Sequence, residues 1–294
     1  MKKIFITGGA GFIGSHLVDR LVKRDEHVVV LDNFSSGELE FLFDSIENIT
    51  VVDVDLLKDN FDEYLKGAKI VYHLAANPEV QTGITEPEVM QEQNVDVTEK
   101  VLEAMKRTGC SRIVFTSTST VYGDAKIPTP EEAKLKPISA YGSSKMDAEK
   151  LIEKYCKEHD FRGVSYRFAN CVGPRSNHGV TYDFIHKLKR DPSRLEVLGN
   201  GLQEKSYMSA EDCVRAMVHL VDRVDESVNL YNLGTGDTCS VRRIAEIVVE
   251  EAGFDNVSIE YTGGDRGWAG DVPKTSLEVE YLFSTGFVPK MHSE

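Results

Sequence analysis

Long hydrophobic runs are absent from this sequence. Lys, Arg, Asp or Glu interrupts every apolar stretch well before the roughly 20 residues that a membrane-spanning helix requires. At the amino terminus, the apolar run in MKKIFITGG is about four residues long, whereas a secretory signal peptide needs roughly 7–15. We therefore expect a cytoplasmic protein that does not bind membranes, and its 294 residues are enough to bury a sizeable core.

Positive charge and cysteine are also scarce. The 34 Lys and Arg residues face 48 Asp and Glu residues, which gives a formal net charge of -14 at pH 7. A surface of this sign repels nucleic acid and anionic membranes, so neither is expected as a partner. The five cysteines are scattered without a Cys-x-x-Cys pair, and the eight histidines show no ligand spacing, so the sequence predicts neither a disulfide framework nor a metal site.

In the first half of the chain, short β-branched runs alternate with helical patterns. The predicted strands are Lys3–Thr7, His27–Asp32, Thr50–Asp53, Lys69–His73, Arg112–Thr116 and Val164–Phe168. The predicted helices are Phe12–Lys23, Pro87–Arg107 and Ala140–His159. Strands that are apolar on both faces are typical of a parallel sheet covered by helices on each side. The pattern therefore predicts an α/β fold with a doubly wound, mostly parallel (Rossmann) sheet.

A glycine-rich loop, Thr7-Gly8-Gly9-Ala10-Gly11-Phe12-Ile13-Gly14, follows the first strand and opens the first helix. Such a loop lets backbone N–H groups approach a pyrophosphate, and the helix N-terminus adds partial positive charge. Asp32 ends the second strand, where a carboxylate can accept hydrogen bonds from both hydroxyls of the adenosine ribose and would repel a 2′-phosphate. The alternative is a strand-to-helix turn that binds nothing, but the context on both sides favours NAD as cofactor over NADP.

After about Pro174 the pattern changes to shorter, more polar elements with glycine-rich turns. We therefore expect an NAD-binding Rossmann domain over residues 1–170 and a smaller substrate-binding lobe mainly over residues 171–294. The sequence has no internal repeat and no flexible linker, so the two parts are expected to interleave and to pack into one body.

Tyr141 and Lys145 form a second candidate site. Four residues apart on a helix, the phenol and the ammonium share one face. A free tyrosine has a pKa of about 10, too high for a base at neutral pH. A nearby ammonium and the positive nicotinamide ring of an oxidised cofactor favour the phenolate and pull that pKa towards neutrality. The alternative is a solvated surface pair, which the position after the fifth strand disfavours.

Together these motifs resemble the extended short-chain dehydrogenase/reductase superfamily. The resemblance rests on Gly8/Gly11/Gly14, His73-Leu74-Ala75-Ala76, Ser117-Thr118-Ser119-Thr120-Val121-Tyr122-Gly123 and Tyr141/Lys145. Motifs typical of its nucleotide-sugar branch are Arg167-Phe168-Ala169-Asn170, Gly173-Pro174-Arg175, Gly199-Asn200-Gly201 with Gln203, Tyr231-Asn232-Leu233-Gly234-Thr235-Gly236, and Arg266 with Gly270-Asp271-Val272. The resemblance covers nearly the whole chain and is greatest to the UDP-glucose 4-epimerases.

The resemblance implies three groups of site residues. The catalytic group is Thr118, which would bond the 4-hydroxyl of the sugar, Tyr141 as the base, and Lys145, which would also bond the nicotinamide ribose. The cofactor-binding group is Gly8, Gly11, Phe12, Ile13, Gly14, Asp32, Asn33, Asp55, Leu56, Ala75, Ala76, Asn94, Tyr141 and Lys145, with Asp55 and Leu56 against adenine. The substrate-binding group is Thr118, Asn170, Lys205, Arg266, Asp271 and Thr275, with Asn170 and Arg266 on the UDP pyrophosphate.

The residues after Thr118 discriminate between the reactions of the branch. The 4,6-dehydratases have an acidic pair there and the UDP-glucuronate decarboxylases usually keep a Glu at the position of Thr120, whereas this chain has Ser119-Thr120. Neither hydroxyl is acidic enough to support elimination. We therefore expect an NAD-dependent isomerase of galactose metabolism that epimerises UDP-glucose and UDP-galactose, or their N-acetylated forms, at C4. The alternatives are a dehydratase, decarboxylase or reductase of the same superfamily, or a non-catalytic NAD-binding regulator.

Some positions depart from the family pattern. Lys205-Ser206 stands where Arg-Asp is usual, and Lys keeps a point charge for phosphate without the bidentate fork of Arg. Thr275 falls where epimerases place a residue that borders the C2 substituent of the sugar, and its small side chain predicts room for an N-acetyl group; the alternative is a loop residue that caps the next helix. The family also implies a homodimer that packs Pro87–Arg107 and Ala140–His159 of each subunit.

Overall fold

The computed structural model describes residues 3–24, 26–79, 82–223, 226–254, 256–268 and 271–294. Its strands are β1 (Lys3–Thr7), β2 (His27–Asp32), β3 (Ile49–Asp53), β4 (Ala68–His73), β5 (Arg112–Thr118), β6 (Arg162–Phe168), β7 (Asn170–Val172), β8 (Arg194–Val197), β9 (Glu204–Lys205), β10 (Tyr207–Ser209), β11 (Val228–Leu233), β12 (Cys239–Ser240), β13 (Ser258–Tyr261) and β14 (Lys274–Thr275). Its α-helices are α1 (Phe12–Val22), α2 (Asp62–Leu65), α3 (Thr82–Thr85), α4 (Pro87–Met90), α5 (Val97–Thr108), α6 (Ala140–His159), α7 (Val180–Arg190), α8 (Ala210–Val221), α9 (Val241–Glu251) and α10 (Glu280–Ser284).

A parallel sheet with the strand order β3-β2-β1-β4-β5-β6-β11 forms the centre of the molecule. Strand β1 illustrates why the strands of this sheet are apolar on both faces. Ile4 and Ile6 pack in one core cluster with α1 and α8, whereas Phe5 packs in a second cluster with α5 and α6. The predicted doubly wound Rossmann fold is therefore confirmed.

Strand β11 is the part of the sheet that the sequence pattern did not predict. It comes from the second half of the chain and pairs in parallel with β6, from Val228 opposite Gly163 to Leu233 opposite Phe168. Helix α8 precedes it and packs on the sheet beside α1. Asn229 and Asn232 break the apolar run of β11, and both are buried because their side chains bond to backbone groups.

Helix α6 has the bounds that the sequence predicts. Ser139 caps it, since its hydroxyl accepts a hydrogen bond from the Gly142 N–H at 3.1 Å, and Asp160 ends it in the left-handed conformation with φ 55°. The predicted helix Pro87–Arg107 is instead divided into α4, a π-helical segment over Gln91–Asp96, and α5. Such segments are frequent at functional sites.

The remaining elements build a third apolar cluster. Helices α7 and α9 pack there against the two-stranded sheet of β8 and β13. Short strands β9, β12 and β14 form a small sheet beside it. Strand β11 comes from the second half of the chain but lies in the central sheet, so the chain crosses between the central sheet and the third cluster more than once. The proposed domain boundary at residue 170 stays a prediction. In the part of the chain that the structure describes, no helix has the length and apolar character to span a membrane.

Candidate active site

A cleft of about 1120 Å³ lies at the carboxyl ends of the central strands. In open parallel sheets this edge is where ligands bind. The cleft runs from the residues that follow β2 and β3, past the loops after β1, β4 and β5, to α7 and the small sheet of β9 and β14. It is lined by every predicted site residue except Asn94 and Arg266.

The glycine-rich loop forms one wall of the cleft, and its three glycines serve different purposes. Gly8 has φ +70°, and a Cβ there would lie 2.6 Å from the Ala75 nitrogen. A Cβ on Gly14 would lie 2.1 Å from the Gly8 carbonyl oxygen, so that glycine allows α1 to pack on the loop. Gly11 is different, because its Cβ would meet only the Gly8 oxygen, at 3.3 Å, and the position is open to the cleft.

The start of α1 provides donors at the same wall. Helical geometry leaves the N–H groups of the first turn, which include those of Phe12 and Ile13, without a carbonyl one turn earlier. Both residues line the cleft. Open space at Gly11 beside free helix N–H groups fits the pyrophosphate of a dinucleotide.

Asp32 lies at the end of β2 with 8% of its surface exposed. Its Oδ2 accepts the N–H of Ala10 at 2.9 Å and its Oδ1 accepts the N–H of Phe34 at 2.9 Å. Burial raises the pKa of this carboxyl group, and the two backbone bonds act in the opposite direction. Each oxygen can accept a second bond, so a ribose diol fits the carboxylate that the loop has placed here. Asn33 follows at the exposed edge of the cleft and accepts the N–H of Ser35 at 3.1 Å.

Asp55 and Leu56 border the far end of the cleft. Leu56 is buried and presents an apolar surface. Lys58 Nζ donates to Asp55 Oδ2 at 2.7 Å and holds the pKa of that carboxyl group below its usual value. Leu56 therefore fits an aromatic base better than Asp55, whose two oxygens already bond to Lys58 and to the Leu57 N–H.

The residues after β4 are held by a buried histidine. His73 Nδ1 lies 2.7 Å from Thr7 Oγ1, and its Nε2 lies 3.0 Å from Thr98 Oγ1. Burial lowers the pKa of His73 to about 3, so the ring is neutral and serves as a connector. Thr7 Oγ1 in turn accepts the N–H of Ala75 at 3.3 Å, which places Ala75 and Ala76 at the cleft.

Asn94 does not line the cleft, and its predicted role in cofactor binding stays a prediction. Its Oδ1 accepts the N–H of Asn77 at 2.7 Å, and its Nδ2 donates to Ser144 Oγ at 2.9 Å. The side chain is 1% exposed and joins the loop after β4 to α6 behind the cleft wall.

Thr118, Tyr141 and Lys145 come together at the middle of the cleft. Thr118 ends β5, and its Oγ1 accepts the N–H of Thr120 at 3.2 Å. Tyr141 lies in the first turn of α6 beside the Thr118 hydroxyl. Lys145 is 3% exposed, donates from Nζ to the Thr116 carbonyl at 3.0 Å, and lies over the Phe115 ring at 4.8 Å from its centroid.

Burial changes the pKa values of both Tyr141 and Lys145 in the protein alone. Burial raises the pKa of the Tyr141 phenol to about 12, and the Thr118 hydroxyl acts in the opposite direction. Burial also lowers the pKa of Lys145 to about 7, against the effect of Glu149. In the protein alone, desolvation is therefore the largest effect on both groups, whereas the predicted lowering of the Tyr141 pKa also depended on the positive ring of bound NAD.

At the other end of the cleft, the predicted substrate residues are held by an ion pair, strand pairing and a hydrogen bond. Lys205 on β9 pairs with Asp271, which is 4% exposed. Thr275 on β14 lies beside Lys205 in parallel register, so it is part of a strand and not a helix cap. Asn170 at the start of β7 donates from Nδ2 to the Ser206 carbonyl at 3.2 Å. Lys205, Asp271, Thr275 and Asn170 all line the cleft.

The guanidinium of Arg266 is turned away from the cleft. It donates to the Asp271 carbonyl and to Asp124 Oδ2, the latter at 3.0 Å. Asp124 belongs to the loop after the turn at Ser119–Tyr122, so the pair joins the two regions of the molecule. Gly270, which belongs to the same family motif as Arg266, lies outside the described residues.

Several residues at the cleft were not predicted. They include Lys58, His178, Gln203 and Trp268. Lys58 lies in a loop after β3, His178 in the loop before α7, and Gln203 in the loop before β9. Loops have no periodicity that would indicate which side chains face a ligand. Gln203 alone belonged to a motif, although it carried no assigned role.

Comparison with known proteins agrees with this geometry. Residues 4–234 match the model of the NAD dependent epimerase/dehydratase family. The chain belongs to this family. It is 42% identical to a UDP-galactose 4-epimerase of known structure, with a TM-score of 0.89 over 99% of this chain and 94% of that chain. It is 30% identical to a putative UDP-glucose 4-epimerase of Methanocaldococcus jannaschii, over 98% of this chain and 93% of the relative.

Relatives with a different reaction are also similar. A UDP-N-acetyl-alpha-D-glucosaminuronate decarboxylase of Bacillus cytotoxicus is 32% identical over 83% of this chain and 78% of its own length. The predicted nucleotide-sugar branch of the short-chain dehydrogenase/reductase superfamily is confirmed, as is NAD as the cofactor. The protein is thus an enzyme of a group that contains nucleotide-sugar epimerases, dehydratases and decarboxylases.

Proposed function

We propose that this enzyme is a UDP-sugar 4-epimerase that interconverts UDP-glucose and UDP-galactose through a transient 4-keto sugar. The observation that carries the proposal is the turn after β5. Thr118 and Thr120 place their hydroxyl oxygens 3.1 Å apart beside Tyr141, and Ser119 separates them. This turn offers hydroxyl groups where an elimination would require an acidic pair.

The cleft residues divide the work of binding. Gly11 and the first turn of α1 would hold the NAD pyrophosphate, Asp32 the adenosine ribose, and Leu56 the adenine. Bound NAD would supply a hydride acceptor and donor for C4 of the sugar, and its positive ring would favour the Tyr141 phenolate. Lys205, Asn170 and, after release from Asp124, Arg266 would face the diphosphate of the substrate.

The chain's own groups would then move a proton at the sugar 4-hydroxyl. Tyr141 takes the proton, while Thr118 donates to the same oxygen and fixes its orientation. The Lys145 ammonium, held at the Thr116 carbonyl, stabilises the phenolate. The 4-keto sugar would turn about its phosphate linkage within the cleft, after which Tyr141 returns the proton.

The test is the incubation of purified protein with UDP-glucose, UDP-galactose and their N-acetylated and uronic acid counterparts, followed by separation of the products. We expect interconversion of C4 epimers without loss of water or carbon dioxide. Tyr141→Phe should lower turnover at least roughly 100-fold, because the phenol is the proton acceptor. Lys145→Ala should lower it similarly and weaken NAD binding.

The matched control is Tyr64→Phe, which removes a phenol far from the cleft and should leave turnover unchanged. Thermal unfolding confirms that each variant is folded. Turnover near that of the unmodified protein in Tyr141→Phe would contradict the assignment of the base. Release of carbon dioxide from a UDP-uronic acid would point to a decarboxylase instead.

A further inference from the structure

A buried ion pair lies directly beneath the catalytic face of α6. Glu149, one turn after Lys145, accepts hydrogen bonds from Arg167 on β6 in bidentate fashion, Nε to Oε1 at 3.0 Å and Nη2 to Oε2 at 2.6 Å. The two side chains are only 9% and 5% exposed, respectively. Removing such charges from water is costly, so their retention calls for an explanation other than stability.

Glu149 also reaches the strand that carries Thr118. The Ser117 hydroxyl on β5 donates to Glu149 Oε1, while Lys145 donates to the carbonyl of Thr116. Two side chains one turn apart on α6 thus bond to two consecutive residues of β5, immediately before Thr118. These bonds fix how far α6 can slide or rotate along the end of β5, and Tyr141 is on the same helix.

Arg167 extends this connection across the sheet. Its Nη1 donates to the Tyr122 hydroxyl at 2.9 Å and to the Glu131 carbonyl at 3.0 Å, and its guanidinium lies 4.7 Å from the centroid of the Tyr122 ring. Tyr122 in turn donates to Asn232 Oδ1 on β11 at 2.8 Å. The network therefore joins α6 to β5, β6 and β11 and to the turn that follows Thr118.

We propose that Glu149 and Arg167 are positioning residues that hold α6 in register with β5, so that Tyr141, Thr118 and Lys145 converge on one sugar hydroxyl. The inference rests on the proposed function and deepens it. Neither residue lines the cleft, and neither touches the reacting atoms. They act through Lys145, Ser117 and Tyr122.

Glu149 also affects the charge of Lys145. The groups that surround this ammonium are Glu149 and Tyr141 on α6, the neutral His73 on β4, and the Thr116 carbonyl and the Phe115 ring on β5. Among the described groups, Glu149 is the one that raises the pKa of Lys145. Loss of its charge should lower that pKa, so the ammonium would deprotonate at lower pH.

The experiment compares Glu149→Gln and Arg167→Lys with the unmodified holoenzyme in UDP-galactose epimerisation across pH. Glu149→Gln keeps a bond to Ser117 and removes the charge. We expect its kcat to fall about tenfold or more with a KM changed less than about threefold, because transition-state geometry is lost and substrate contacts are kept. The alkaline limb of the kcat profile should move to lower pH by about one pH unit.

Arg167→Lys separates position from charge. It keeps both charges but loses the bidentate fork, so kcat should fall while the alkaline limb stays in place. Glu153→Gln is the matched control, since this carboxylate is one turn further along α6 and pairs with Lys157 at the surface. Thermal unfolding and bound NAD are measured for every variant.

Wild-type kcat and an unmoved pH profile in folded Glu149→Gln would overturn the inference. If that variant does not fold, wild-type kcat in folded Arg167→Lys would do so. Should the unmodified protein epimerise no UDP-sugar, the proposed function fails. The positioning role is then decided by NMR of ¹⁵N-labelled lysine side chains, with the Lys145 signal identified by its loss in Lys145→Ala. A Lys145 pKa that does not change in Glu149→Gln would contradict the inference.

Discussion

Single carboxylates and hydroxyls decide what this cleft accepts. Asp32 has two roles. Its carboxylate accepts the N–H groups of Ala10, in the glycine-rich loop, and of Phe34, and it still presents acceptor positions to the cleft. Thr275 owes its place to the pairing of β14 with β9 and stands beside Lys205. A single substitution at each of these two positions therefore tests its assigned role.

Replacing Asp32 by Asn removes the negative charge and keeps one acceptor. We expect less NAD to copurify with the protein and weaker discrimination against NADP, since each lost charged hydrogen bond is worth about 1.5–3 kcal/mol. Asp32→Ala should in addition destabilise the loop. Asp53→Asn, at the exposed end of the neighbouring strand, is the control. Equal binding of NAD and NADP by the unmodified protein, measured by calorimetry, would show that this carboxylate does not select the cofactor.

Replacing Thr275 by Tyr should narrow the sugar end of the cleft. If Thr275 borders the C2 substituent, the unmodified enzyme accepts UDP-N-acetylglucosamine beside UDP-glucose, and Thr275→Tyr suppresses the N-acetylated reaction selectively. Both rates are compared by product separation. Equal loss of the two activities, or no N-acetylated activity in the unmodified protein, would contradict this assignment.

Helices and strands bring these side chains to the same edge of the sheet. The glycine-rich loop joins β1 to α1, and α6 carries Tyr141, Lys145 and Glu149 on successive turns. The close approach of the loop to α1 depends on backbone atoms, which cannot move aside as a flexible side chain can. Two glycines in this loop are therefore expected to respond to the same substitution in different ways.

Gly14→Ala should destabilise the fold by about 1–3 kcal/mol, because its Cβ would lie 2.1 Å from the Gly8 oxygen and overpack the contact. Gly11→Ala should leave the free energy of unfolding nearly unchanged and reduce NAD binding, since its Cβ projects into the cleft. Denaturant unfolding and NAD titration distinguish the two effects. Equal NAD affinity in Gly11→Ala and the unmodified protein would mean that the pyrophosphate lies elsewhere.

The predictable elements are those whose burial pattern is local. Strands β1 and β2 and helix α6 have the predicted bounds, because their apolar runs and the residues that end them are adjacent in sequence. Strand β11 was missed, since Asn229 and Asn232 interrupt its apolar run and their burial depends on partners far along the chain, Gly163 and Thr129. The same distinction applies to the candidate site. The glycine-rich loop and the pair of Tyr141 and Lys145 could be predicted, because each is a local sequence motif. The ion pair of Glu149 with Arg167 and that of Arg266 with Asp124 could not, because they depend on tertiary contacts.

At the scale of the whole molecule, the structure shows which side chains of α5 and α6 are available for the predicted dimer contact. The sequence places Ala148, Leu151, Ile152 and Tyr155 at helical spacing on α6, a stripe that fits either a subunit contact or the core. In the structure Ala148, Ile152 and Tyr155 belong to the core cluster that includes α5, and Leu151 packs against it. The side chains that α5 and α6 leave exposed are largely charged, such as Lys150 and Lys157. The stripe therefore supports the fold, and the homodimer stays a proposal that rests on the family.

If a dimer forms through the charged outer faces of α5 and α6, it should weaken as salt rises, because exposed charges are screened within about 10 Å at 0.1 M ionic strength. Light scattering at micromolar concentration should give twice the 32.8 kDa of one chain at low salt. A mass of one chain under all conditions would exclude the dimer.

Conversion of UDP-galactose that carries deuterium at C4 tests the proposed epimerisation most directly. After incubation with the purified protein in ordinary water, we predict UDP-glucose that retains the deuterium at C4, because the hydrogen leaves and returns as hydride and does not exchange with water. Mass spectrometry and separation of the two epimers give the result. A product lighter by one water, or UDP-glucose that has lost the deuterium, would contradict the proposed reaction.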